Sequence, residues 1–272
     1  FPKALPWLAR FAYQSRTSRV RQISKALVAL NSPTFDAYQP LLEDAGLTQL
    51  FHRSGQLFLY RNRQNMDKDT LTHELRCKGG ASIEFLDAEE IREIEPAITP
   101  IFEAGYLMPD NGHCSDPFGL ASGLVKMFVN KGGVLIMDDV LDFIFDADSV
   151  SGLSTSSGVL DTRRVVIAAG VWSKTLCERL GFPVPLMSHR GYHATIENSN
   201  VSLRHMCFPV DDKFAITPMS MGLRIAGTVE FAGLDDPPNY ERVDKMVKSC
   251  HAILNGFNSE YYSEWMGHRP CL

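Results

Sequence analysis

Arg163-Arg164-Val165-Val166-Ile167-Ala168-Ala169-Gly170-Val171-Trp172-Ser173 decides how the chain is read. Five apolar residues, Val165 to Ala169, run into Gly170, and Trp172, Leu176 and Leu180 then recur at helical intervals. A buried strand that ends in a glycine turn and enters a helix is how an open α/β sheet brings backbone close to a bound nucleotide. The stretch therefore predicts a strand over 165–169, a turn at Gly170 and a helix beyond it. No G-x-G-x-x-G occurs in the 272 residues, so the glycine loop that would grip a pyrophosphate is not part of this sequence.

Upstream, Asp116 can cap a helix with Pro117 in its first turn, and Leu120, Leu124, Met127 and Phe128 fall on one side of it. Gly132-Gly133 ends that helix, and Val134 to Met137 reads as a strand. Residues 140–145 and 152–155 read as a small antiparallel excursion before the strand into Gly170. Helix, strand, excursion, strand and helix together make the second half of a nucleotide-binding α/β unit.

The flanking sequence has another rhythm. Residues 16–30 carry Val20, Ile23, Ala26, Leu27 and Leu30 at helical spacing, ended by Asn31-Ser32-Pro33. A second helix is expected from Thr34 to Ala45 with Gly46 as its stop, then a strand over 55–60 and a helix over 67–78. Asp87 followed by Glu90 has capping-box spacing and opens a short helix over 88–94. Strands are expected at 104–108, 192–197, 213–217 and 223–230. A helix over 241–254 turns Val243, Met246, Val247 and Cys250 inward. The expected fold class is α/β and α+β, a partial Rossmann-like layer interleaved with a mixed or antiparallel-sheet domain. Its segments are 1–29 as a connecting helix region, 30–115 with 186–265 as a discontinuous substrate domain, and 116–185 with 266–272 as the nucleotide layer.

Hydrophobic residues make up 44% of the chain and charged residues 22%, which places it among ordinary soluble globular proteins. The net charge of −5 and the scattered lysines and arginines give no footprint for nucleic acid. No apolar run approaches the roughly 20 residues of a membrane span. The six cysteines form no C-x-x-C and no zinc-ligand pattern, so they read as reduced thiols of a cytoplasmic protein. The chain begins at Phe1 without a methionine and stops after Arg269-Pro270-Cys271-Leu272, which leads to the expectation of an excerpt from a longer protein.

In order, the chain shows the Asp-Pro helix, the Gly-Gly turn, Val166-Ile167-Ala168-Ala169-Gly170-Val171-Trp172-Ser173 and an Arg190-Gly191-Tyr192 strand. Phe214-Ala215-Ile216-Thr217, then Leu223 to Glu230, then Gly267-His268-Arg269-Pro270 complete the series. This series resembles the FAD-dependent D-amino acid oxidase superfamily, most closely the bacterial D-amino acid dehydrogenases, and the likeness spans nearly the whole chain. It implies FAD as cofactor and oxidation of the CH–NH bond of a small amino acid or amine by hydride transfer to the flavin. It also implies that the chain corresponds to the central part of such a protein. By itself the chain is then expected to be inactive, to bind FAD weakly or not at all, and to form homo-oligomers through an open sheet border. The electron acceptor and any peripheral attachment of the parent enzyme to the inner membrane are left open. The contrasting reading is a non-catalytic binding or assembly module derived from the same fold.

The resemblance assigns Ala168, Ala169, Gly170 and Trp172 to the FAD side and the Val140 backbone to the adenine; ordinary sheet-core residues are the alternative. Arg269 is implied to lie near flavin and substrate, where a guanidinium can pair bidentately with an amino-acid carboxylate. A surface or packing arginine is the plainer reading. His268 is a candidate for a hydrogen bond to substrate or flavin, Tyr192 for closing over a small substrate, and His52 for facing the pocket. Structural roles are the alternative for each. Met219 stands where related amine oxidases often carry an arginine after the proline. Arg224 on the next strand could replace it, depending on the face that alternation gives it.

Overall fold

A computed structural model describes residues 5–272. Helices α1 (Leu5–Gln14), α2 (Thr17–Asn31) and α3 (Thr34–Ala45) come first, then β1 (Phe51–His52), β2 (Gln56–Tyr60), α4 (Arg63–Lys68) and α5 (Thr70–Lys78). β3 (Glu84–Asp87), α6 (Ala88–Ile94), β4 (Ala104–Met108), β5 (His113–Cys114) and α7 (Pro117–Asn130) follow. Next are β6 (Val140–Asp146), β7 (Ser149–Thr155), β8 (Gly158–Asp161), α8 (Ser173–Arg179), β9 (Met187–Ile196) and β10 (Met206–Pro209). The last elements are β11 (Phe214–Met219), β12 (Gly222–Phe231), α9 (Glu241–Ile253) and β13 (Ser263–Cys271).

Eight strands form one sheet in the order β13-β9-β12-β11-β10-β2-β4-β3. It is mixed: β10 runs parallel to β2, while β11–β12, β2–β4 and β3–β4 are antiparallel. β2 lacks a polar face because both of its faces are covered. Leu57 and Leu59 join Ala194, Ile216 and Ile225 in a core that contains Val243, Met246, Val247, Cys250 and Ile253 of α9. Phe58 and Tyr60 point the other way and pack with Met66 and Tyr106. The box at α6 forms as its spacing predicts: Asp87 Oδ1 accepts from the Glu89 and Glu90 amides, and Glu90 accepts from the Asp87 amide.

Two compact units divide the chain. One comprises Phe1–Met127, Tyr192–Thr228 and Pro238–Met266; the other comprises Phe128–Gly191, Val229–Pro237 and Gly267–Leu272. These breaks differ from the expected domain boundaries at 116 and 186, since most of α7 belongs to the first unit and the start of β9 to the second. α7 fully buries none of its residues; of the four expected on one side, Leu120, Leu124 and Met127 are half-buried and Phe128 is exposed.

In the second unit, β6, β7 and β8 form a three-stranded antiparallel sheet that buries Phe143 and Leu153. The two strands expected on either side of it, 134–137 and 165–169, do not form. Val166 is 91% exposed and Met137 88%. A strand exists only through a ladder partner, and among the described residues neither run has one. The turn and helix that follow do form: Gly170 has φ +56° and opens a 3₁₀ turn into α8. All six cysteines are free, and no helix among the described residues is long and apolar enough to cross a membrane.

Candidate functional site

In the first unit, the sheet face turned away from α9 gathers polar side chains. Leu223 and Ile225 of β12 enter the core, so alternation turns Arg224 to the opposite face, across the ladder from Thr217 of β11. Tyr192 and Ala194 of β9 likewise enter the core, which turns His193 outward. The His193 ring stacks on Trp265 at 4.9 Å and 22° between planes. Burial, and then the Arg224 cation, pull its pKa down to about 4, so the imidazole is neutral at pH 7.

Arg224 is half-buried. Its Nε–H is fully buried and has no acceptor among the described residues, and Nη2 meets only the Met221 sulfur at 3.9 Å. Burial lowers its pKa, while the nearby Asp116 and Cys114 work the other way. A guanidinium titrates so high that it remains charged.

β1 and β5 pair beside this face and bring His52 opposite His113, with rings stacked at 5.2 Å. His52 Nε2 lies 3.1 Å from Ser115 Oγ. Burial lowers the His113 pKa, His52 adds to that, and a hydrogen bond to the Pro218 backbone offsets part of it. Pro218 lies between Thr217 and Met219, and Cys114 and Asp116 interact electrostatically with Arg224, so these elements share one neighbourhood.

Tyr192 does not belong to this face. It is 1% exposed, sits in the core with its ring edge to Tyr240, and its hydroxyl accepts from the Asn239 amide at 3.0 Å. The expectation that it closes over a substrate fails because alternation gives the inward position to Tyr192 and the outward one to His193. His52 is placed beside His113 and Ser115, a grouping that distant sequence positions did not reveal. His113, His193 and Trp265 were missed as site residues; period-two alternation could have flagged them, but only once its phase was known.

The second unit holds another group. His268 of β13 places Nδ1 2.9 Å from Ser188 Oγ and meets the Trp172 ring edge-on at 5.7 Å. Arg269 lies flat over Gly191, where an added Cβ would fall on its guanidinium. Burial, and then the Arg269 charge, lower the pKa of His189. Trp172 and His268 are therefore brought together, while Arg269, the next residue of β13, lies over Gly191.

The residues at 165–172 fit the part of FAD that rests against backbone. Val165 to Ala168 lie outside any ladder, Gly170 would meet nothing within 4 Å if it carried a Cβ, and Trp172 offers an exposed aromatic face. Val140 opens β6 in the same unit. The pyrophosphate would need a glycine loop at a helix start, and the sequence contains no G-x-G-x-x-G.

The mixed eight-stranded sheet and the second unit with its glycine turn make this a mixed α/β protein. Residues 6–272 match the DAO family, FAD dependent oxidoreductase, and the chain belongs to that family. It is 31% identical to a D-amino-acid oxidase of Bradyrhizobium diazoefficiens, covering 100% of this chain and 65% of the relative. It is 26% identical to D-amino acid dehydrogenase 2 of Mesorhizobium japonicum, covering 100% and 67%. The chain thus spans about two thirds of the length of these relatives. In fold it is similar to glycine oxidase from Geobacillus kaustophilus, with TM-score 0.74 and 20% identity over 94% of this chain and 68% of the other. Glycine oxidase from Bacillus cereus gives TM-score 0.72 and 21% identity over 93% and 68%.

Proposed function

We propose that the protein oxidises the CH–NH bond of a small amino acid or amine with FAD, as a D-amino acid dehydrogenase or oxidase does. The observation that carries this reading is the face formed by Arg224, His193 and Trp265. It offers a cation, a neutral imidazole and an aromatic surface on rigid strands, a set suited to a small zwitterionic substrate. His193, neutral at pH 7, can accept a hydrogen bond from the substrate amine without adding a like charge. Trp265 supplies apolar surface beside it.

Bound FAD supplies the two-electron acceptor for this oxidation. Ala168, Ala169, Gly170, Trp172 and the Val140 backbone are the residues that would hold it, with His268 beside Trp172. The product imine would hydrolyse in water to a keto acid and ammonia. The 272 residues on their own are expected to hold FAD weakly, because they contain no phosphate-gripping glycine loop.

The experiment is anaerobic reduction of the FAD-loaded protein, expressed from its natural reading frame, by D-amino acids, sarcosine, proline and glycine. Bleaching of the flavin band by at least one D-amino acid is expected. A flavin that dithionite bleaches but none of these amines does would overturn the proposal.

A further inference from the structure

We infer that helices α1 and α2 lay one exposed face on a bilayer surface rich in anionic phospholipid. The inference goes beyond amine oxidation and does not depend on it.

Charge is divided unevenly along the chain. Residues 1–35 contain Lys3, Arg10, Arg16, Arg19, Arg21 and Lys25 and not one Asp or Glu. All 32 acidic residues lie beyond them, beginning at Asp36, and the whole chain carries −5. An anionic surface therefore attracts this segment and, on balance, repels the remainder.

The same segment exposes apolar side chains. Neither α1 nor α2 fully buries a residue. α2 is held by one side: Val20, Ser24 and Val28 are half-buried, Val28 lies against Gly79, and Arg21 pairs with Glu74 of α5 at 2.9 Å. From its N-cap onward the other side carries Arg16, Arg19, Ile23, Leu27 and Leu30, spaced by three, four, four and three residues, which places them in one stripe. All five are exposed, Leu30 by 73%. α1 adds Leu5, Leu8 and Phe11 at three-residue spacing, and the Trp7 ring stacks on Phe11 at 5.2 Å. Where the helices join, the Arg16 and Arg19 guanidiniums lie 4.8 Å and 5.5 Å from the centre of the exposed Tyr13 ring.

A surface helix ordinarily turns one apolar stripe to the core and a polar face to water. α2 carries apolar side chains on both sides. Cations and apolar groups on one exposed stripe suit a bilayer interface: Ile23, Leu27 and Leu30 enter the acyl boundary, Trp7 and Tyr13 sit at headgroup level, and the guanidiniums reach the phosphates. An acidic protein patch would answer the cations alone. A second copy would cover the apolar stripe but would bring the same cations again and no anion from this segment.

The test uses the protein expressed from its natural reading frame, sedimented with vesicles of phosphatidylcholine alone or with about 30% phosphatidylglycerol. The wild type should bind the anionic vesicles about tenfold or more tightly than the neutral ones. Salt at about 1 M, where the Debye length is about 3 Å, should remove that preference. One Lys or Arg near such a surface is worth about fivefold in affinity, so Arg16→Gln with Arg19→Gln should weaken binding about 25-fold. Leu27→Ser with Leu30→Ser should weaken it about tenfold or more, with thermal unfolding unchanged because neither side chain is in the core. Brominated lipid should quench the tryptophan emission of the wild type and not that of Trp7→Phe. No binding to the anionic vesicles, equal binding to the two compositions, or unchanged affinity in both double variants would overturn the inference. A dimer that Leu27→Ser with Leu30→Ser dissociates, in a protein that ignores vesicles, would assign the stripe to a second copy instead. Flavin reduction by amines in free solution should be the same in the wild type and both double variants, so the oxidation reading stands or falls separately.

Discussion

Replacing Arg190 by methionine should release the loop between β12 and α9. Arg190 is 0% exposed, yet its charge reaches the loop backbone. Nη1 donates to the Pro237 carbonyl at 3.0 Å, and Nη2 donates to the carbonyls of Asp236 at 2.5 Å, Leu234 at 3.4 Å and Gly233. The Glu230 carboxylate stands 3.8 Å from Nη1. A charge-assisted hydrogen bond contributes about 1.5–3 kcal/mol net. The bonds do not add, because three of them share one nitrogen and the freed carbonyls can turn to water. Two effective nitrogens, together with the loss of a buried cation beside Glu230, give a cost of about 3–5 kcal/mol. That corresponds to roughly two to four orders of magnitude in the loop-opening equilibrium. Amide exchange reads it directly at Gly233, whose N–H is held by Asp236 Oδ2 at 2.6 Å, and at Asp236, whose N–H reaches the Gly233 carbonyl at 3.4 Å. Arg190→Lys should give an intermediate rate. Acceleration of less than about fivefold in Arg190→Met, equivalent to about 1 kcal/mol, would refute the clamp.

Gly191→Ala should leave global stability within about 1 kcal/mol, because the Arg269 side chain that the new methyl would strike is exposed and can swing aside. Its displacement removes a repelling charge from His189, so an NMR titration should show the His189 pKa rising toward its ordinary value; an unchanged value would mean that Arg269 had not moved. His193 titrates near 4 in the folded protein, below its ordinary 6.5, so the unfolded chain binds more protons between those values. The stability associated with its neutral form is therefore complete above pH 6.5 and is lost as pH falls toward 4. Because the ring is only partly shielded from water, the difference at pH 5 between wild type and His193→Asn should be about 1 kcal/mol. Parallel urea midpoints for the two proteins from pH 7 to pH 4.5 would show that His193 is not the group responsible.

The sequence by itself determined what one or two turns of chain can decide. The Asp87–Glu90 box starts α6 because both hydrogen bonds close within four residues. The inward stripe of α9 is a single-helix pattern, and the glycine turn at 170 needs only the positive φ of one residue. Family membership was also legible, because it rests on the order of such local motifs. Only the tertiary structure decided which apolar runs become strands. Residues 165–169 look more strand-like than Ser263–Cys271, yet the latter is the strand, since a ladder needs a partner and local hydrophobicity does not supply one. The candidate site was undecided for the same reason. In Tyr192-His193 and Leu223-Arg224, shifting the register by one residue exchanges the core face and the opposite face, and pairing across the sheet sets that phase.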